Sequence, residues 1–540
     1  MESKTIVRNV QIIIVIALFT YFSWWKSLNV QVLYTNVFFV LPIALLFFNA
    51  FQWQGKGKIP LQLTSFSKKV GIYFVLIILG GVLWNFAWVG MSDGLYGIED
   101  GEDFTAQDVT LANIGEVDLF QTDVIRKVPH NTGEIRLRAN RFGWADVMDT
   151  DPLYEDGKLV WRAVIEPHGL INQLTKSAPA IAETSAEIES SPTVMEKDLK
   201  YSEAKLLTQF SMRRAWYANR MLLVDDGYIT TDADGKYWWA YPRVAIKWFL
   251  FTYKKEFRGV TLVSAESDEI KHYGEDEMGE LAGFLGKSNM RVYPESLALL
   301  QASIYGSNRF GWWAKQVTGR SGDGESLYEI PGGQLQAGAG WWQKYPFLTV
   351  YSDKLYWVTV YEPIGGEISG ARVAAILLIG AEHSNAGEIT MLKFDKLEKN
   401  LPGVNKILRF ARAEVQNFEG WIPQQVQIYQ DNGNLYALSS IVSGSGSGQR
   451  IMALAGVNLL GEEERAYVVK TSDYENLNSA HSALVARMFD GVEEIPSVSS
   501  PPLEEPGDAS KQPVVESDID DRLDEMDDKL DKIMEKLEIE

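Results

Sequence analysis

The side chains that most often do chemistry near neutral pH are few here. The five histidines are His130, His168, His272, His383 and His481. None stands in HExxH or another close metal-ligand spacing. Glu382-His383 and His168, just after Glu166-Pro167, come nearest to a pair, and each reads as the end of a strand at the surface. The chain has no cysteine, which excludes disulfides, thiolate metal sites and cysteine nucleophiles. "GRSGDGES" (319–326) lacks the lysine that a phosphate cradle needs. No cofactor and no metal is expected.

Carboxylates are the abundant reactive group, with 72 Asp and Glu against 51 Lys and Arg and a net charge of −21. That balance argues against a nucleic-acid partner, whose phosphates need a basic face. Most of the acidity reads as solvated surface. A spatially paired Asp/Glu site of the glycosidase kind stays open, with Glu325 and Glu329 as its candidates by residue type. They fall in a segment rich in Gly, Trp and Tyr, "GESLYEIPGGQLQAGAGWWQKYPF". Trp341 and Trp342 there are candidates for stacking on a sugar or a partner's surface, with core packing as the competing role.

Two further candidates lie in a repeated word. "NRFGW" is written at 140–144 and again at 308–312. Arg141 and Arg309 are candidate ligand contacts, although Phe and Trp of the word point to packing. The contexts repeat too. "EDGKLVWRAVIEP" (155–167) and "SDKLYWVTVYEP" (352–363) share an Asp, then Lys-Leu, then an aromatic strand closing on Glu-Pro. Related openings begin at Asp234 and Asp431, and the separations Asp156 to Asp234 and Asp353 to Asp431 are equal. Equal spacing predicts two copies of one larger module.

The elements that must position these residues read as hairpins and helices. Asp-Gly and Asn-Gly pairs at 156–157, 234–235 and 432–433 supply positive φ for tight turns. The copy at 354–355 lacks glycine and predicts a longer turn. Helix formers fill 195–223. A stripe of Leu397, Leu401, Val404, Ile407, Leu408 and Ala411, broken near Pro402, marks a second helix. Helices interleaved with antiparallel hairpins predict α+β modules with helices on one face of each sheet.

The two ends differ in character. Apolar runs at 10–25, 30–51 and 70–90 approach the roughly 20 residues that a membrane-crossing helix needs. Lys4, Arg8, Lys56, Lys58, Lys68 and Lys69 put the N-terminus and the second connection in the cytoplasm. A Pro, Ser and Glu-rich stretch at 490–517 reads as a disordered tether. Beyond it, Ile519, Leu523, Met526, Leu530, Ile533 and Leu537 follow steps of four and three, a heptad seam for oligomerisation. Leucine at a with Ile or Met at d favours a trimer or tetramer.

The expected fold class is therefore α+β. Three N-terminal transmembrane helices (1–92) precede a tandemly duplicated ectodomain with antiparallel hairpins (93–290 and 291–489). The tether (490–517) and a C-terminal coiled-coil helix (518–540) follow. The expected partners are the lipid bilayer, further copies of the chain, and an envelope protein or glycan. The leading functional reading is a non-catalytic, membrane-anchored extracytoplasmic binding or scaffolding protein. The alternatives are a cell-envelope glycan-binding or glycan-hydrolysing protein and a small oligomeric channel, the latter disfavoured by the absence of charge within the spans.

Overall fold

Stretches such as Lys354–Pro363 carry apolar or aromatic side chains at nearly every position, the pattern of a strand covered on both faces. The computed structural model bears this out for β14, where every residue after Lys354 is buried. It describes residues 104–117, 119, 143–147, 150–155, 158–185, 192–205, 209–219, 222–249, 252–287, 290–306, 328–329, 345–352, 354–363, 372–431, 433–443, 450–462 and 465–489. The chain divides into one unit ending at Glu493 and a second starting at Glu494. The second lies outside the described residues.

In chain order, β1 (Phe104–Asp108) precedes a first sheet of β2 (Ala145–Val147), β3 (Asp151–Glu155), β4 (Lys158–Pro167), β5 (Ala178–Ser185) and β6 (Thr193–Leu199), with α1 (Leu170–Thr175) between β4 and β5. Helix α2 (Ser211–Ala218) leads to a second sheet of β7 (Leu223–Val224), β8 (Tyr228–Thr231), β9 (Tyr237–Phe249), β10 (Thr252–Ser264) and β11 (Ile270–Tyr273). Then come α3 (Met278–Leu285) and α4 (Glu295–Tyr305). The third sheet holds β12 (Tyr328–Glu329), β13 (Phe347–Tyr351), β14 (Lys354–Pro363), β15 (Ala375–Gly380) and β16 (Ile389–Lys393), with β1 parallel along the edge of β16. Helix α5 (Val404–Glu414), a fourth sheet of β17 (Ile422–Asp431), β18 (Asn434–Ser443), β19 (Arg450–Asn458) and β20 (Tyr467–Lys470), and α6 (Leu477–Phe489) complete it.

One plan recurs in all four sheets. A long strand (β4, β9, β14 or β18) takes a hairpin partner on one edge and the next strand of the meander on the other. In the first three sheets, the first edge is shared by two short strands in series: β2 and β3 on β4, β7 and β8 on β9, β12 and β13 on β14. In the fourth, β17 does both jobs, with a bulge between Gln424 and Gln427 and Gln425 at φ 54°. The two strands that close on Glu-Pro, β4 and β14, hold the same place in their sheets. The result is mostly β, a four-bladed, β-propeller-like arrangement.

This corrects the expected α+β class. The described residues contain six α-helices, all short, joining or flanking sheets. The largest misreading is 195–223. Its first residues pair along β5 as the edge strand β6, and among its described residues only Ser211–Ala218 is α-helical. Helix propensity there is a weak prior, and cross-strand hydrogen bonding overrides it. The stripe at 404–411 does form a helix, α5, burying Val404, Ile407, Leu408 and Ala411.

The membrane expectation is corrected as well. Among the described residues no helix is long and apolar enough to cross a membrane, so the multi-pass localisation and the helical membrane scaffold have no support in the structure. The runs at 10–25, 30–51 and 70–90, the tether and the seam from Ile519 to Leu537 all lie outside the described residues.

The sheets are tied by buried side chains. Val164, Ile181, Ile229, Trp239 and Tyr241 form one apolar cluster between the first and second. Arg162 pairs with Glu183 at 2.7 Å and donates to Ile229 O at 3.4 Å. Arg291, only 6% exposed, pairs with Asp151 of β3 at 2.9 Å. Its guanidinium also lies 4.2 Å over Tyr228 and 5.8 Å from the ring of Trp357, so it touches three sheets. Removing one partner of such a buried pair leaves an uncompensated charge. Tyr351 Oη donates to Ile428 O at 2.9 Å, joining the third sheet to the fourth. In the second sheet, Arg243 is fully buried and donates to Ala215 O at 2.8 Å, to Leu222 O at 3.0 Å and to Asn219 O, around the C-terminal end of α2. Burial pulls its guanidinium down to about 10.

The turns repay a closer look. Gly235 (φ 78°) and Gly433 (φ 81°) supply the left-handed conformation expected of the Asp-Gly and Asn-Gly pairs. The glycine-free copy does not take a longer turn. Tyr351 pairs with Lys354 across a two-residue connection, and Ser352 itself adopts φ 47°. A side chain there costs about 1 kcal/mol. Ser352→Gly should therefore stabilise the chain by about 0.5–1 kcal/mol in urea unfolding, and no gain would show that the turn is unstrained.

Burial also raises the phenol pKa values of Tyr241, Tyr351, Tyr361 and Tyr436 above the ordinary value of 10.0. A phenol held protonated in the fold contributes stability that is complete below about pH 10 and falls as pH rises further. On alkaline titration, phenolate absorbance from these rings should appear only together with loss of the folded circular dichroism signal. Reversible ionisation of all tyrosines near pH 10 in a folded chain would contradict this.

Candidate functional site

The first sheet brings together two features that are distant in sequence. The backbone register sets Ala145 opposite Pro167, Asp146 opposite Glu166 and Val147 opposite Ile165. The ladder continues with His168 N–H donating to Trp144 O at 3.0 Å. Directly opposed residues of an antiparallel pair share a face, with Cβ atoms about 5 Å apart. Residues two apart on one strand share it too. Trp144, Asp146, Glu166 and His168 therefore occupy one face at the end of β4.

Two like charges directly opposed are unfavourable unless something compensates. Glu166 is 4% exposed, and its Oε1 accepts N–H bonds from Glu203 at 2.7 Å and Ala204 at 3.1 Å. Asp146 is half-buried, and its Oδ1 accepts the Val147 N–H at 2.9 Å. Tyr241, bonded to Ser211 Oγ at 2.6 Å, lies within reach of the Glu166 charge. Burial raises its phenol most, and the charges of Glu203 and Glu166 raise it further.

Trp144 of that face also walls a shallow cleft of about 540 Å³, together with Lys176, Pro179, Glu196, Lys197 and Asp198. Trp144 is half-buried, and the Lys176 ammonium sits 4.1 Å above its ring. Beneath the cleft, buried Lys205 donates to Lys176 O, which fixes the backbone after α1. Burial lowers the Lys205 ammonium below its usual range, and the charge of Asp198 works the other way. An indole face bordered by paired carboxylates can stack on an apolar or cationic ligand surface while hydrogen bonding to its hydroxyl or amine groups.

The third sheet has the same backbone arrangement with a different outcome. Glu329 of β12 is opposite Glu362 of β14. Glu362, 1% exposed, accepts the Val404 N–H at 2.9 Å, the first residue of α5. Its charge is thus used on a helix N-terminus, where a carboxylate is stabilising.

Of the sequence candidates, Arg141, Arg309, Trp341, Trp342, Glu325 and His130 lie outside the described residues, as do the seam residues from Ile519 to Leu537. His168 is exposed at the end of β4, as expected. His272 bonds Thr261 Oγ1 at 2.9 Å, and burial lowers its pKa. His481 is buried 3.3 Å from the Tyr436 hydroxyl rather than at the surface. Beside His383, the Glu382 carboxylate accepts Leu355 N–H at 3.2 Å and the Ser384 hydroxyl. Among the described residues no group of His, Asp and Glu could hold a metal ion. Sequence reasoning missed Asp146, Lys176, Glu196 and Asp198. The one signal that could have found Asp146 was its place two residues after the Trp of the repeated word.

Glu166→Ala would strand two main-chain donors, at a cost of about 1–3 kcal/mol. Glu166→Gln keeps an oxygen acceptor and should cost less than half as much. Urea denaturation of both variants checks this, and equal losses would show that the two N–H bonds do not hold Glu166 in place.

No family model matches this chain, and no curated protein matches it. Among solved structures it is similar to the crystal structure of a B. megaterium levansucrase mutant. The identity is 11% over 67% of this chain and 78% of that one, with a TM-score of 0.19. A likeness of that size carries no argument about this chain.

Proposed function

We propose that this chain binds a glycan in the cleft beside β2 and β4, with a sugar ring laid on Trp144. One observation carries the reading: a half-buried indole shares its sheet face with two opposed carboxylates. Sugars present an apolar face edged with hydroxyls, so an aromatic platform flanked by acceptors fits them. The cleft is open and shallow, which suits a chain lying across it better than a small molecule enclosed by it.

A second reading extends the first to hydrolysis, and the register of Asp146 against Glu166 favours it. In glycoside hydrolysis one carboxylic acid protonates the glycosidic oxygen. A second carboxylate attacks the anomeric carbon or activates the water that does. Asp146, the more open of the two, would face the substrate as one of these groups; Glu166 is buried behind it, so Glu196 or Asp198 of the cleft wall would supply the other. Loss of reducing-sugar release in Asp146→Asn with binding retained would support this, and unchanged release would dismiss it.

Binding itself is tested by calorimetry of the full chain against soluble oligosaccharides. Trp144→Ala should weaken affinity about tenfold, the equivalent of roughly 1.4 kcal/mol. Trp144→Phe should fall between it and the parent. Identical affinities in all three proteins would overturn the reading.

A further inference from the structure

Resting on that glycan reading, we infer that the cleft takes a sugar chain bearing free amines, whose ammonium group replaces that of Lys176 over Trp144. The chain's own cation marks the position. Lys176 follows the last residue of α1, is exposed, and holds its Nζ 4.1 Å from the centroid of the indole. It forms no ion pair among the described residues, although Glu196 and Asp198 wall the same cleft. The face of Trp144 is therefore a working cation site, occupied by a side chain that can swing into solvent.

The surrounding charges select the class of ligand. Glu196 and Asp198 are exposed and have no ion-pair partner among the described residues. Buried Lys205 feels the charge of Asp198 from within the fold while donating to Lys176 O, and the exposed lysines nearby are engaged elsewhere. Lys197 Nζ lies 5.2 Å over Tyr237, and Lys200 pairs with Asp268 at 3.3 Å. A neutral sugar must break the Lys176 contact and gains no charge interaction in return. An acidic sugar meets Glu196 and Asp198. An amino sugar exchanges one ammonium for another on the ring and reaches the two carboxylates as well. The net charge of −21 adds attraction at longer range, screened by salt.

The test titrates the full chain with three β-1,4-linked tetramers that differ at one position per ring: glucosamine, N-acetylglucosamine and glucose. The glucosamine tetramer should bind at least tenfold more tightly than either of the others and lose that advantage in high salt. Lys176→Met, a change at an exposed position, should tighten it severalfold by removing the competing cation. Paired Glu196→Gln and Asp198→Asn should abolish the preference. If the three tetramers bind alike and Trp144→Ala weakens all of them, the amine inference falls and the glycan reading stands. If none binds, or Trp144→Ala changes nothing, the glycan reading falls and the inference with it.

Discussion

The pairing of β2 with the end of β4 is the constraint on which the site depends. A one-residue slip of that short strand would turn Asp146 and Trp144 to the opposite face, because side chains alternate along a strand. Three residues of ladder are a weak clamp by themselves. The register is held by what surrounds it: Ala145 and Val147 are buried, and Glu166 is anchored by two main-chain N–H groups from the segment before α2. The cost of opposing two carboxylates is thus offset by the same contacts that join the first sheet to its neighbour.

The recurring sheet plan explains where a site can arise. In the first three sheets the long strand accepts a short strand at its far end, and in the first and third that short strand sets one acidic residue opposite another. In the third, Glu362 meets the start of α5 and its charge serves packing. In the first, Trp144 and Lys176 border open space instead. Arg291 fixes the relation of three sheets by pairing with Asp151 and lying against Tyr228 and Trp357. Its burial is tolerable because charge, hydrogen bonds and aromatic faces all meet it at once.

Much of the local structure was legible before any coordinates. The strands at 158–167 and 354–363, the glycine turns at 235 and 433, and the buried stripe of α5 all follow from periodicity and turn chemistry. The overall class was not, because β6 is written in helix-forming residues and becomes a strand only by pairing with β5. Ser352 shows the same limit at a smaller scale: strand register imposes a left-handed turn that its residue type does not announce. The site was illegible for a related reason. Asp146 and Glu166 are separated by an entire hairpin, so their opposition is a property of register rather than of any motif. Trp144 was visible in the repeated word, but Phe and Trp there read as core. Trp341 and Trp342, candidates for stacking on a sugar or a partner's surface, fall outside the described residues.

A crystal structure of the full chain with the glucosamine tetramer bound is the most direct measurement of this account. It predicts a sugar ring against the face of Trp144, an amine within hydrogen-bonding reach of Glu196 or Asp198, and Lys176 turned away into solvent. A tetramer bound elsewhere, with Lys176 still lying over the indole, would contradict it.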